Sequence, residues 1–87
     1  MSRVILYTSQ HCPFCQQAEH LLNRRNAGAL AKIRVDLDPS QLQQMIELTG
    51  RRTVPQIFIG ERYVGGYDDL AKLDRSGELD TLLGSCQ

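Results

Sequence analysis

The chain carries the stretch VILYTSQHCPFCQQAEHLL at residues 4–22. Residues 4–7 form a short apolar run rich in β-forming side chains, which predicts a buried strand. Pro13 suits the first turn of a helix, because a backbone N–H is not needed there. The apolar residues that follow at helical spacing are Phe14, Ala18, Leu21 and Leu22. They predict an amphipathic helix over residues 13–26, so a pair of cysteines lies where the strand gives way to the helix.

A second strand and a second helix are predicted next. Residues 33–37 alternate between apolar and charged side chains, which predicts a half-buried strand. Its apolar members are Ile33, Val35 and Leu37. Asp38 is expected to cap the helix, with Pro39 in the first turn and Gln41 completing a capping box. The inner face of this helix is predicted to consist of Leu42, Met45, Ile46 and Thr49, and Gly50 can end the helix.

The remaining residues predict a hairpin and two short helices. Residues 56–59 and 62–64 are β-rich runs on either side of a turn that contains Gly60. Two glycines then break the hairpin. Asp68 and Asp69 are expected to cap a third helix. The apolar residues expected to face inward are Leu70 and Leu73 in this helix, and Leu79, Leu82 and Leu83 in the last.

The predicted order of elements is therefore β-α-β-α-β-β-α with a terminal helical piece. The first half is a βαβ unit, which implies a parallel pair of strands joined by a right-handed crossover. The hairpin adds an antiparallel strand. The expected fold class is α/β, with a four-stranded mixed sheet and helices on both faces.

Length and charge limit the class of protein. The chain has 87 residues, and we expect residues 1–87 to form a single domain. Ten Lys and Arg residues balance ten Asp and Glu residues, which argues against a nucleic-acid partner. No apolar stretch approaches the ~20 residues that cross a bilayer, so no membrane partner is expected. The first apolar run is too short for a signal peptide, which favours a cytoplasmic protein.

The cysteines carry the predicted chemistry. Three are present, and Cys12 and Cys15 are three residues apart. A disulfide scaffold needs more cysteines and an oxidising compartment, so this close pair favours catalysis or metal binding. A helix N-terminus presents unpaired N–H groups and a partial positive charge, which stabilise a thiolate. Cys12, at the mouth of the helix, is therefore expected to attack a disulfide, and the deeper Cys15 to resolve the intermediate.

Zinc binding and a pair of buried thiols are the alternatives for this motif. A closed zinc site needs about four ligands. The further candidates are His11, His20 and Cys86, and none of them repeats the paired spacing. The position between strand and helix favours redox chemistry, and we expect no metal site.

Three blocks of the chain resemble the glutaredoxins, the small glutathione-dependent members of the thioredoxin fold. The blocks are Cys12-Pro13-Phe14-Cys15, Thr53-Val54-Pro55-Gln56-Ile57-Phe58-Ile59-Gly60 and Gly65-Gly66-Tyr67-Asp68-Asp69-Leu70. Their order and spacing match across nearly the whole chain. The chain looks most like the dithiol bacterial members of the glutaredoxin 3 type.

This resemblance implies a glutathione site. The bond between Val54 and Pro55 should be cis, which would turn the backbone of Val54 toward a bound thiol peptide. Residues 66–68 would receive the α-carboxylate of the γ-glutamyl group at a helix start. Asp68 or Asp69 could pair with the α-amino group, and capping is the expected role of Asp69. The expected glutathione-binding residues are Phe14, Arg51, Thr53, Val54, Pro55, Gly66, Tyr67 and Asp68.

Two positions depart from the family pattern. Many glutaredoxins have lysine where this chain has Ser9, and Gln or Arg where it has Leu42. In the family these residues meet the glycyl carboxylate of glutathione. Arg51 or Arg52 is expected to substitute, because a guanidinium offers charge and forked donors, and Gln41 is a further candidate. In the alternative interpretation, both arginines are solvated surface residues.

The sequence thus predicts a dithiol glutaredoxin with glutathione as co-substrate and no permanently bound cofactor. Its expected partners are glutathione and proteins that contain disulfides or are glutathionylated, and the expected state is a monomer. In a second hypothesis, motivated by Ser9 and Leu42, the protein takes electrons from a thioredoxin-reductase-like flavoprotein. In a third, the protein binds an iron–sulfur cluster across a dimer. Pro13 disfavours this third hypothesis, because cluster-binding relatives usually have Gly or Ser there.

Overall fold

The computed structural model describes residues 4–25 and 30–85. The elements are β1 (Val4–Thr8), α1 (Pro13–Arg24), β2 (Leu30–Arg34), α2 (Pro39–Thr49), β3 (Gln56–Ile59), β4 (Arg62–Gly65), α3 (Tyr67–Ser76) and α4 (Glu78–Ser85). This order confirms the predicted one. The predicted helix end at Asn26 and the third cysteine, Cys86, lie outside the described residues. None of the helices in these two ranges has the length and apolar character needed to cross a membrane.

The four strands form one mixed sheet in the order β2-β1-β3-β4. Strand β1 runs parallel to β2 and antiparallel to β3, and β4 runs antiparallel to β3. The register pairs Tyr7 near the end of β1 with Gln56 at the start of β3. The loop that leads from β1 into α1 and the loop that precedes β3 therefore meet at the same end of the two central strands.

Two hydrophobic clusters lie on opposite faces of the sheet, because successive side chains of a strand point to opposite sides. The first packs the sheet against α1, α3 and α4, and its buried members are Val4, Leu6, Ala18, Leu21, Leu22, Ile57, Ile59, Leu70, Leu79 and Leu83. The second packs the sheet against α2, and its buried members are Tyr7, Val35 and Met45. Helices on both faces were predicted, and the two clusters confirm them.

The second strand begins and ends earlier than the alternation of residues 33–37 predicts. Strand β2 ends at Arg34 because its partner, β1, ends at Thr8, which pairs with Arg34. One further backbone hydrogen bond follows, in which the N–H of Val35 donates to the carbonyl of Thr8 over 3.0 Å. The chain then turns, and the N–H of Leu37 donates to the carbonyl of Arg34. The prediction that Leu37 is an apolar member of this half-buried strand is wrong, since the strand ends at Arg34 and 71% of Leu37 is exposed.

The helix starts agree with the sequence in part. Asp38 caps α2 and Pro39 is its first residue, and the Asp38 carboxylate accepts from the N–H and the hydroxyl of Ser40. Helix α3 begins before the two predicted capping aspartates, with Gly66 at its N-cap position. Asp69 takes part in this cap from the first turn, because its carboxylate accepts from the N–H of Gly66.

Candidate active site

The two cysteines lie at the junction of β1 and α1. Cys12 is the N-cap residue of α1, in an extended conformation, and Pro13 is the first helical residue. The N–H of Cys15 donates to the Sγ of Cys12 over 3.3 Å. Both cysteines are free thiols. Cys12 is half-buried and Cys15 is only 2% exposed, so an incoming disulfide reaches the sulfur of Cys12 more readily.

The buried cysteine is held in its protonated form more strongly than a cysteine in water. Burial raises the pKa of the Cys15 thiol, and its contact with Cys12 raises it further. The hydroxyl of Thr8 and the backbone of Ser9 act in the opposite direction. Cys15 therefore stays a thiol at neutral pH until a base or a reaction partner accepts its proton.

The loop before β3 approaches the exposed cysteine from the other side. The peptide bond between Val54 and Pro55 is cis, as the resemblance implies. The carbonyl oxygen of Val54 lies 3.8 Å from the Sγ of Cys12, which donates toward it. Pro55 is buried and Val54 is half-buried. The backbone of Val54 consequently forms one wall beside the reactive sulfur.

A groove of about 500 Å³, measured with its open mouth, extends from this loop to the start of α3. Its lining residues are Phe14, Arg51, Thr53, Val54, Pro55, Gln56, Gly66, Tyr67, Asp68 and Asp69. All eight residues that were predicted to bind glutathione are among them. The groove has the mixed lining of a small-molecule site, with apolar surface and a few converging polar groups.

The lining of the groove combines aromatic and charged side chains. Phe14 is 57% exposed, and its ring centroid lies 6.1 Å from that of Tyr67. The Nη1 of Arg51 is 4.0 Å from the Oδ2 of Asp69. The same Oδ2 accepts from the N–H of Gly66. The groove thus offers one cation, a helix N-terminus and exposed aromatic surface to an elongated ligand with carboxylate ends.

Other predicted candidates lie away from this groove. Arg52 and Gln41 are not among its lining residues. Leu42 packs into the hydrophobic cluster against α2, which explains an apolar side chain there. Ser9 lines a separate cavity, together with Cys15, Lys32 and Arg34.

No group of three or more His, Cys, Asp or Glu side chains within residues 4–25 and 30–85 is arranged to hold a metal ion. His11 is exposed and has a left-handed backbone, with φ of 59°. His20 is exposed on α1.

One residue of the groove was missed by sequence reasoning. Gln56 is a buried polar side chain at the start of β3, followed by three apolar residues. A polar residue that opens such a run is the signal that could have found it. Its burial depends on strands that are distant in sequence, so spacing alone does not distinguish it from a surface glutamine.

Comparison with known proteins agrees with this geometry. A glutaredoxin family model matches residues 4–64. The chain is 47% identical over 83 residues to a glutaredoxin of Neisseria meningitidis, which covers 95% of this chain and 98% of that protein. It is 41% identical over 83 residues to glutaredoxin 3 of Escherichia coli, with 95% and 99% of the two chains covered.

A solved structure extends the likeness to the whole fold. The crystal structure of a buckwheat glutaredoxin–glutathione complex superposes with a TM-score of 0.88 at 25% identity, covering 98% of this chain and 79% of the buckwheat chain. With the fold, the cysteine pair and the sequence relationships in agreement, the chain belongs to the glutaredoxin family and is a thiol-disulfide oxidoreductase of the thioredoxin fold.

Proposed function

We propose that this protein is a dithiol glutaredoxin that reduces glutathione mixed disulfides and protein disulfides, with glutathione as the electron donor. One observation carries the proposal: the groove that collects all eight predicted glutathione-binding residues meets the half-buried sulfur of Cys12 at Val54. A reducing compartment such as the cytoplasm supplies the donor. The buckwheat relative crystallised with glutathione supports the same ligand.

In the proposed reaction with a glutathionylated protein, the Cys12 thiolate attacks the disulfide between the protein and glutathione. Its sulfur bonds to the glutathione sulfur, the old disulfide breaks, and the protein thiolate leaves and takes a proton from water. A second glutathione thiolate then attacks the glutathione sulfur on Cys12. Glutathione disulfide leaves, and the Cys12 thiolate is regenerated. The N–H of Cys15 supports the anion at both stages, since hydrogen bonds to charged acceptors are the stronger ones.

A protein disulfide follows a second route in this proposal. Cys12 attacks the substrate disulfide, which breaks as a mixed disulfide forms between Cys12 and one substrate sulfur. Cys15 then gives its proton to the substrate thiolate released in that step and attacks the Cys12 sulfur, which breaks the mixed disulfide. The substrate leaves with both thiols reduced, and a disulfide joins the two cysteines. Two glutathione molecules then reduce that disulfide and leave as glutathione disulfide. The raised pKa of Cys15 keeps it protonated, and so out of competition, before the substrate arrives.

The proposed docking of glutathione follows the chemistry of the groove. The γ-glutamyl carboxylate binds at the N-terminus of α3, where the first N–H groups of a helix have no intrahelical partner. The backbone of the cysteinyl residue pairs with Val54, and Arg51 receives the glycyl carboxylate. Asp69 already accepts from Gly66 and lies near Arg51, which leaves Asp68 for the α-amino group.

The test is turnover of a small glutathionylated peptide, in a background where Cys86 is replaced by serine so that it cannot act as a nucleophile. NADPH supplies the electrons through glutathione reductase and glutathione. We expect Cys12→Ser to be inactive and Cys15→Ser to retain the reaction. With insulin disulfides as substrate, Cys15→Ser should lose activity as well. Turnover by Cys12→Ser contradicts the assignment.

The electron donor is tested in parallel. Ser9 and Leu42 leave two family contacts to glutathione unmade, so a flavoprotein donor is the rival. The same oxidised protein is offered glutathione or thioredoxin reductase with NADPH. Faster reduction by the reductase than by glutathione contradicts the proposed donor. Arg51→Gln should raise the KM for glutathione, and Arg52→Gln, which lies outside the groove, is its matched control.

A further inference from the structure

We propose that Gln56 and Tyr63 are positioning residues that hold the loop of residues 53–55 in the geometry that binds the substrate backbone. This inference rests on the proposed function. The side-chain amide of Gln56 bridges two parts of the chain. Its Nε2 donates to the carbonyl of Thr53 over 2.9 Å, and its Oε1 accepts from the hydroxyl of Tyr63 over 2.6 Å.

The burial of Gln56 makes these bonds obligatory. The residue is only 1% exposed, although a primary amide is costly to bury without partners. Both ends of the amide are satisfied by the two contacts, and a weaker contact reaches the hydroxyl of Thr53 over 3.4 Å. Residues 51–55 form neither helix nor strand, so the loop depends on contacts of this kind to keep one conformation.

Tyr63 is itself fixed by aromatic packing. Its ring centroid lies 5.2 Å from that of Phe58, and Phe58 lies 6.1 Å from Tyr7 in an edge-on arrangement. Phe58 and Tyr63 are also partners across the hairpin. The hydroxyl therefore has a fixed origin in the sheet. The carbonyl of Thr53 can only accept, so it takes the amide nitrogen of Gln56 and leaves the amide oxygen to accept from the Tyr63 hydroxyl.

The loop that is held in this way carries a backbone carbonyl that lies beside the reactive sulfur. Val54 follows Thr53, and its carbonyl is 3.8 Å from the Sγ of Cys12. If the backbone of a substrate pairs with Val54, its disulfide lies within reach of the Cys12 sulfur only when the loop of residues 53–55 keeps this conformation. A small aromatic disulfide needs no such pairing. The contribution of Gln56 and Tyr63 should consequently depend on whether the substrate contains the glutathione backbone.

The experiment measures single-turnover rate constants of Cys12 with two disulfides, a glutathionylated peptide and dithiobis(nitrobenzoic acid). Tyr63→Phe removes only the hydroxyl, and Gln56→Met keeps the length of the side chain but removes both polar ends. Loss of one buried hydrogen bond should lower the rate constant with the glutathionylated peptide about three- to tenfold. The rate constant with the aromatic disulfide should change by less than about twofold. Combining the two substitutions should cost little more than Gln56→Met alone.

The controls separate positioning from general stability. Gln43→Met makes the same exchange at an exposed position of α2, where the amide donates to Glu47, and should leave both rate constants unchanged. Equal losses with both disulfides, or no loss with the glutathionylated peptide in the folded Tyr63→Phe protein, overturn the inference. A further control is the same peptide joined to mercaptoethanol instead of glutathione. If the wild-type protein does not react faster with the glutathionylated peptide than with this control, the proposed function fails and not the inference about Gln56 and Tyr63.

Discussion

The backbone N–H of Cys15 donates a hydrogen bond to the Sγ of Cys12 across 3.3 Å. Cys12 thereby occupies the N-cap position that Ser, Thr, Asp or Asn usually fills, with sulfur in the place of oxygen. The bond becomes charge-assisted when the thiol ionises, and charge-assisted bonds are stronger than neutral ones. One contact therefore serves both the start of α1 and the stability of the anion.

The dual role of Cys12 predicts different outcomes for two substitutions. Cys12→Ser keeps a side chain that can cap α1, so the free energy of unfolding should change little while disulfide reduction is lost. Cys12→Ala removes the cap as well, and the loss of an N-cap side chain costs about 1 kcal/mol. Urea unfolding of the reduced proteins measures the difference. Equal stability of the two variants would mean that the sulfur does not cap the helix.

Much of this fold follows from local patterns in the sequence. The apolar run of residues 4–7, Pro13 at a helix start and the two glycines after the hairpin each have one ready interpretation. The pattern failed where the outcome depends on a distant strand. Leu37 continues the alternation of its neighbours, but β1 has ended and offers no partner for a longer strand. Pairing, and not periodicity, ends β2.

The site shows the same division between local and long-range information. The cysteine pair at a helix start predicted redox chemistry from the residues themselves, whereas the residues of the groove were predicted only through the family resemblance. Spacing could not bring Phe14, Arg51 and Asp68 together, because their proximity depends on the sheet order. It could not show either that Gln56 is buried against Tyr63. The cap from Asp69 to Gly66, by contrast, spans three residues, and capping was the predicted role of Asp69.

The buried thiol of Cys15 predicts a loss of stability in alkaline solution. Burial raises its pKa above the ordinary value of 9.0 in the folded protein. The unfolded chain therefore loses this proton at lower pH than the folded protein. The free energy of unfolding that this thiol contributes is fully present below the ordinary pKa and is lost as the pH rises from there through the higher pKa of the folded protein. The unfolding midpoint of the reduced protein should fall more steeply from about pH 8 to about pH 10 than that of Cys15→Ser. Parallel profiles for the two proteins would contradict the raised pKa.

The lowered pKa of Asp36 predicts that the protein loses stability in acid, whereas Cys15 predicts a loss in alkaline solution. Hydrogen bonds from Arg34, at 2.6 and 2.7 Å, hold the pKa of this carboxyl well below its ordinary value of 3.8. The backbone N–H of Gln10 adds a further contact just before the active site. The stabilisation is present above the ordinary pKa and is lost as the pH falls below it.

The corresponding measurement compares Asp36→Asn with the parent protein by thermal unfolding. The variant should unfold at a lower temperature at neutral pH, and the gap should close on acidification below about pH 4. Glu61→Gln, in the exposed turn of the hairpin, is the matched control and should show a smaller gap. A gap for Asp36→Asn that persists unchanged in acid would indicate a loss unrelated to the charge.

Gly65 predicts the largest loss of stability from a single added methyl group. Its φ of +117° is unfavourable for any residue with a Cβ, and a Cβ built there collides with the Asp69 carboxylate that caps α3. Gly65→Ala should cost about 3 kcal/mol of unfolding free energy, from strain together with loss of the cap. Gly77→Ala is the control, since Gly77 has φ of +84° with nothing within 4 Å of the added atom. It should cost about 1 kcal/mol, from backbone strain alone. Urea unfolding distinguishes the two, and equal losses would show that the Asp69 contact contributes nothing to the start of α3.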